Sequence, residues 1–277
     1  MDNLATYELF DLHEQVAAVT GGAGVLCASL CKTLARAGVK VGILDINIQA
    51  AQQLVDQIKG MGGEAWAFEC DVCARESIDL AAQQVKSTYG RVDILINGAG
   101  GNKTGATTRA DCTFFDLPEE ALHWVISLNL LGTILSCQVF GKLMIQQKKG
   151  TILNISSMNA FRPLTRVPAY SAAKAAVSNF TQWLAVYMAQ EYAPEIRVNA
   201  IAPGFFLTEQ NRYLVLDQAT GKWNARGELI IAHTPMQRFG TPEDLAGTVL
   251  WLLSPASRFV TGIVVPIDGG FSAFSGV

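Results

Sequence analysis

Tyr170 and Lys174 stand four residues apart in the run Tyr-Ser-Ala-Ala-Lys. On a helix that spacing puts a phenol and an ammonium side by side on one face. A free phenol titrates at about pH 10, too high to trade protons well near neutrality, and a neighbouring cation favours the phenolate. The chemistry on offer is proton exchange with a substrate oxygen. Taken alone the pair is common on helices. Here it lies 13 residues after Ser157, which ends the run Asn154-Ile155-Ser156-Ser157.

A second group of residues suits an anion. Thr20-Gly21-Gly22-Ala23-Gly24-Val25-Leu26-Cys27 joins an apolar run to a helix-periodic one. Small residues let backbone N–H groups approach a pyrophosphate, and a helix N-terminus adds the positive end of its dipole. Gly22 and Gly24 match the first two places of the dinucleotide fingerprint, but Cys27 occupies the third. An ordinary tight turn between strand and helix also fits these glycines. Asp45 closes the next apolar run, roughly 20 residues on, where a carboxylate accepts hydrogen bonds from ribose hydroxyls. It would repel a 2′-phosphate, and the loop carries no Lys or Arg to compensate. The expected cofactor is therefore NAD, with NADP disfavoured. An aspartate here also suits a cap for the following helix.

The elements that position these residues alternate regularly. Strands are expected over 15–20, 39–44, 65–70, 92–97, 151–155, 197–201 and 263–267. Helices are expected from the Gly loop to about 37, then over 48–59, 74–89, 118–147, 169–191 and 242–253, the last capped by Thr241. Strands alternating with helices imply a doubly wound α/β fold, a parallel sheet of about seven strands flanked by helices. The near-continuous apolar runs at 15–20, 92–97 and 151–155 suit strands buried on both faces. No Pro/Ser-rich linker or repeat divides residues 1–277, which read as one dinucleotide-binding domain with a mixed segment at about 205–240.

Composition narrows the function classes. The chain has 277 residues, 50% hydrophobic and 16% charged, with a formal charge of −3. That excludes a disordered chain and leaves no basic face for nucleic acid. Six cysteines at this length do not form a disulfide framework. No apolar run approaches the roughly 20 residues of a membrane helix. The segment Met1–Glu14 holds four acids and no Lys or Arg, unlike the basic start of a signal peptide. A cytoplasmic protein with a small-molecule substrate and no membrane partner is expected. Cys70 and Cys73 have half the spacing of a zinc site, but no second pair accompanies them, so they read as core or near-core thiols and no metal is expected.

Together these landmarks resemble the short-chain dehydrogenase/reductase family, over about residues 16–271. Further matches are Asp71-Val72, Asn97-Gly98-Ala99-Gly100, Asn129, Pro203-Gly204 with Thr208, and Asp268-Gly269-Gly270. The resemblance implies a Rossmann fold and hydride transfer between a nicotinamide cofactor and an alcohol or ketone. It implies Tyr170 as acid–base, Lys174 on the nicotinamide ribose and lowering the phenol's pKa, and Ser157 donating to the reacting oxygen. Asn129 would hold a proton-relaying water. The cofactor would lie along Gly21, Gly22, Gly24, Val25 and Leu26, with Asp45 on the ribose and Asp71 and Val72 beside the adenine. Asn97, Gly98, Ala99 and Gly100 would form a floor, and Pro203, Gly204 and Thr208 the nicotinamide side. The family's loop has glycines where Val25 and Cys27 stand, so this loop is a variant.

That variant loop, the Asn97–Asn102 run and the ending Gly-Gly-Phe-Ser-Ala-Phe-Ser-Gly-Val look most like the D-mannonate oxidoreductase (fructuronate reductase) branch. A sugar acid needs a cation for its carboxylate. Asn102, Ser157, Asn159, Arg162 and Arg166 are the expected substrate residues, with Lys103, Gln210, Asn211, Arg212 and His233 near the same mouth. In the family the 205–240 segment is a substrate lid, and the helices around 125–145 and 171–190 pair subunits, so a dimer or tetramer is expected. Another polyol, sugar or 3-oxoacyl substrate remains open, as does a non-catalytic dinucleotide-binding protein, which would have no need of the full Asn-Ser-Tyr-Lys set.

Overall fold

A computed structural model describes residues 8–208, 212–217 and 220–276. Seven parallel strands form one sheet: β1 (Val16–Thr20), β2 (Lys40–Asp45), β3 (Ala65–Glu69), β4 (Ile94–Asn97), β5 (Gly150–Ile155), β6 (Ile196–Pro203) and β7 (Val264–Ile267). Their order is β3-β2-β1-β4-β5-β6-β7. The order reverses between β1 and β4, where Thr20 is in register with Asn97. A crevice beyond the C-terminal ends of the strands is the ligand site of such sheets.

The five inner strands, β2, β1, β4, β5 and β6, have two buried faces because their alternate side chains meet different helices, while the edge strands β3 and β7 are partly exposed. Ala17, Val19, Val41, Ile43 and Ile96 pack with Leu30, Leu34, Leu54 and Val249, which belong to α1 (Val25–Arg36), α2 (Ile48–Gly60) and α9 (Ala246–Leu253). Val16, Ala18, Leu44, Leu95 and Ile152 pack with Val85, Phe140 and Leu184 on the other face. Those helices are α3 (Arg75–Tyr89), α5 (Gly132–Gln147) and α6 (Pro168–Glu191).

Most expected bounds agree within two residues, and three differences are instructive. The helix expected over 118–147 is interrupted: α4 (Glu119–Ile126) passes through a π turn at Ser127–Leu131 before α5 begins. Taken as one stretch, Glu119–Gln147 runs 29 residues, and its most apolar part has a mean hydropathy of 1.5, long and apolar enough to cross a membrane, against the sequence expectation. Half of its most apolar window is buried, with Val139, Phe140 and Met144 against the sheet. The helix expected from 242 opens as a 3-10 turn, Pro242–Leu245, where Asp244 and Thr241 form a capping box. The 205–240 segment contains two short helices, α7 (Arg212–Val215) and α8 (Ala225–Ala232), around a small core of Val215, Ile230 and Phe239.

Candidate active site

The turn after β1 is pressed against the turn after β4. Gly21 has φ +60°, and a Cβ there would lie 2.6 Å from the Ala99 Cα, so glycine meets both demands. The Thr20 hydroxyl ties the two turns together by accepting from the Gly98 and Ala99 amides at 3.2 and 3.3 Å. Gly24 precedes α1 without a side-chain cap. The amides of Val25, Leu26 and Cys27 find no acceptor among the described residues, as the first turn of a helix requires. They open on a cavity of about 380 Å³ that Gly21, Gly98 and Gly100 also line. This is a cradle that side chains would fill, and it fits a dinucleotide diphosphate.

Cys27, where a glycine was expected, does not obstruct this cradle. Its sulfur is buried beneath the β4 turn, and a side chain at Gly98 would collide with it. Burial pushes the thiol up to about 12, so it stays neutral. The variant residue thus fills the space under Gly98 instead of narrowing the mouth.

Asp45 ends β2 beside the loop. Its Oδ2 accepts from the Ala23 amide at 3.0 Å and its Oδ1 from the Asn47 amide at 2.9 Å. The helix cap is Asn47, which accepts from Ala50. Asp45 therefore braces the glycine loop and remains half-exposed toward it. Asp71 and Val72 follow β3, outside the cavity above α1. Asp71 holds the Cys73 amide at 2.8 Å, and Val72 is buried against Gly132.

Asn97 departs from its expected place on the floor. It is 2% exposed, and its amide donates to Asn154 Oδ1 at 2.8 Å and to Cys137 at 3.1 Å. Its side chain joins β4 to β5 and α5 in the interior, while its Oδ1 has no partner. Gly98 and Gly100 of the same motif do line the cavity. Cys73 also differs from expectation: Cys70 is buried, but Cys73 is exposed.

The helices bring Asn129, Ser157, Tyr170 and Lys174 to the ends of β4 and β5. Pro168 opens α6, a tolerated place because the first turn needs no N–H there, and sets Tyr170 in the first turn. Lys174, one turn on, is 4% exposed; its Nζ donates to the Ile155 carbonyl at 2.8 Å and stands 5.6 Å from the Tyr170 ring centroid. Burial lowers its pKa to about 8. The Tyr170 phenol is pushed up by burial, with the Ser157 hydroxyl pulling it down. The expected lowering of the phenol by Lys174 is thus outweighed: desolvation dominates, and the ammonium is directed to a carbonyl. Ser157, 8% exposed, begins the turn Met158–Ala160 and accepts from the Asn159 amide.

Asn129 lies in the π turn, wholly buried. Its Nδ2 donates to the carbonyls of Gly101 at 2.7 Å and Val125 at 2.8 Å, and its Oδ1 accepts from the Gly101 amide at 3.1 Å. A Cβ on Gly100 would fall 2.8 Å from that Oδ1 and 3.1 Å from Lys174 Nζ. Asn129 and Lys174 therefore flank the same glycine. π turns often mark functional positions because the extra residue re-aims a side chain.

At the other wall, Pro203 ends β6 and Gly204 lies against Asp268, while Gly204 and Thr208 line the cavity. Asn159 is buried, whereas Asn102, Arg162 and Arg166 are exposed. Asn102 donates to Thr107 at 2.8 Å. Arg162 Nε donates to the Ser272 carbonyl at 3.1 Å, which ties the Ser157 turn to the C-terminal segment. His233 holds its own helix at Leu229 O. Gln210 and Asn211 lie outside the described residues. Sequence reasoning missed Gly101, the Thr20 clamp, and the cavity wall of Phe205, Phe206 and Arg226. Gly101 and Thr20 sat inside motifs already noticed, but nothing in the spacing marked Arg226.

A family model described as enoyl-(acyl carrier protein) reductase matches residues 22–272. An uncharacterized oxidoreductase, UxuB, of Bacillus subtilis is 48% identical, covering 97% of this chain and 100% of the relative. The 7alpha-hydroxysteroid dehydrogenase of Escherichia coli is 32% identical, covering 94% of each. A Haemophilus influenzae structure, provisionally named a D-mannonate oxidoreductase and holding NAD, has a TM-score of 0.90 at 46% identity, covering 96% of this chain and 98% of that one. The chain belongs to the short-chain dehydrogenase/reductase family and is an oxidoreductase.

Proposed function

We propose that this oxidoreductase interconverts a secondary alcohol and a ketone on a small sugar acid of the mannonate or fructuronate type, with NAD as its cofactor. The observation that carries the chemistry is the meeting of Ser157, Tyr170 and Lys174 beside a glycine cradle that ends on the bare N-terminus of α1. The bound dinucleotide supplies the hydride chemistry. The chain's own residues position the substrate and move the proton. Tyr170 exchanges its phenolic proton with the reacting oxygen. Ser157 Oγ donates a hydrogen bond to that oxygen and holds the phenol. Lys174, partly neutral near its pKa of about 8, is easily discharged or recharged and is anchored on Ile155 O.

NAD is supported by the NAD-bound Haemophilus relative and by Asp45, whose carboxylate stands where a 2′-phosphate would be repelled. The sugar acid is supported by that relative's provisional name and by two exposed arginines following Ser157. Of these, Arg166 has an uncommitted guanidinium among the described residues, and Arg162 keeps its terminal nitrogens free beyond Ser272.

The test is a dehydrogenase assay over sugar acids, neutral polyols and hydroxysteroids, with the wild type, Arg162→Ala and Arg166→Ala. A charge-assisted contact is worth roughly 1.5–3 kcal/mol, so losing the right arginine raises KM for the sugar acid about ten- to a hundredfold. Unchanged KM in both variants removes the arginines from the site. Brisk turnover of a polyol or steroid with no turnover of any sugar acid overturns the substrate class.

A further inference from the structure

Among the residues lining the cavity above α1, one is charged: Arg226, in the first turn of α8. Its side chain is exposed and makes no hydrogen bond or ion pair among the described residues. The lid nevertheless holds it in place. Asn224 caps α8 by accepting from the Gly227 amide at 3.0 Å, and its own amide donates to Val215 O at 2.9 Å. Trp223 stacks on Phe239 with centroids 4.8 Å apart, just before the helix begins. The backbone that carries Arg226 is therefore fixed, while its guanidinium is left uncommitted.

The start of α1 lines the same cavity, with the amides of Val25, Leu26 and Cys27 open to it. Neither Ser157 nor Tyr170 lines it. The one charged side chain of the cavity thus shares it with an anion-binding helix terminus and not with Ser157 or Tyr170. We infer that Arg226, carried on α8, grips the diphosphate of the cofactor together with the α1 amides that open on the same cavity. The inference rests on the dinucleotide reading given above. A guanidinium adds two parallel donors and a full positive charge to the amides that a helix terminus presents to phosphate oxygens.

The test is a fluorescence titration of wild type, Arg226→Ala and Arg226→Lys with NADH, with ADP-ribose and adenosine as competitors, at low and high salt. Arg226→Ala should melt like the wild type, because its side chain supports nothing else. It should bind NADH and ADP-ribose about tenfold more weakly, bind adenosine equally well, and lose part of the salt dependence. Arg226→Lys should recover part of the loss. NADH affinity of Arg226→Ala within twofold of wild type overturns the inference. So does a rise in substrate KM at unchanged NADH affinity, which would assign the arginine to the substrate. A wild type that binds no NADH refutes the dinucleotide reading itself, and this inference with it.

Discussion

Asn129→Ala separates two roles for one side chain. The family resemblance makes Asn129 a holder of a proton-relay water, which predicts slower turnover in an equally stable protein. The structure makes it a brace. Its amide forms three hydrogen bonds, two to Gly101 and one to Val125, at a site with no solvent exposure. Each is worth about 0.5–1.5 kcal/mol net, and the alanine gains up to about 0.7 kcal/mol in helix propensity. The net cost is about 1–4 kcal/mol. For a chain of this size that lowers Tm by about 2–4 °C per kcal/mol, or roughly 2–16 °C in all. The freed loop is Gly100–Gly101, and Gly100 adjoins Lys174, so turnover should fall with stability. The assay is thermal unfolding without cofactor beside steady-state kinetics. A variant that melts with the wild type while turnover collapses would refute the brace and leave the relay alone.

Two further outcomes follow from the same geometry. Asp45→Ala should narrow the preference for NAD over NADP about tenfold, about 1.4 kcal/mol, read from kcat/KM with each cofactor; an unchanged ratio would contradict the ribose contact. Lys174 carries a folded pKa lowered from 10.5 to about 8, so its protonated form disfavours the fold. Between those values the unfolded chain binds the extra proton, and stability attributable to Lys174 rises with pH. Relative to Lys174→Met, wild type should therefore gain on the order of 3 kcal/mol from pH 8 to 10.5 in denaturant titrations, whereas a flat difference would refute the buried ammonium.

The strand–helix alternation was legible because both periodicities were strong, and the runs at 15–20 and 151–155 fold as doubly buried strands. The π turn was not, since Ser127–Leu131 keeps helix-compatible residues and the extra residue is imposed by the contact of Asn129 with the β4 loop. Motifs located the cradle but not the direction of each side chain. Asn97 belongs to a matching motif, yet it points into the interior because Asn154 on the neighbouring strand offers it a partner. Cys27 read only as a departure from the family's glycine loop and proves to be packing beneath Gly98, which only the approach of the two turns reveals. Arg226 carried no signal, because its place in the cavity depends on how the lid folds over α1.

The most direct measurement of the central claim is the turnover of Tyr170→Phe beside its affinity for NADH. The variant keeps the ring and removes the phenolic proton that Tyr170 exchanges with the substrate oxygen. The account predicts a folded protein that binds NADH as the wild type does, with kcat lower by roughly 10²–10⁴-fold. A variant retaining more than about a tenth of wild-type turnover, far above that range, would show that Tyr170 is not the acid–base group.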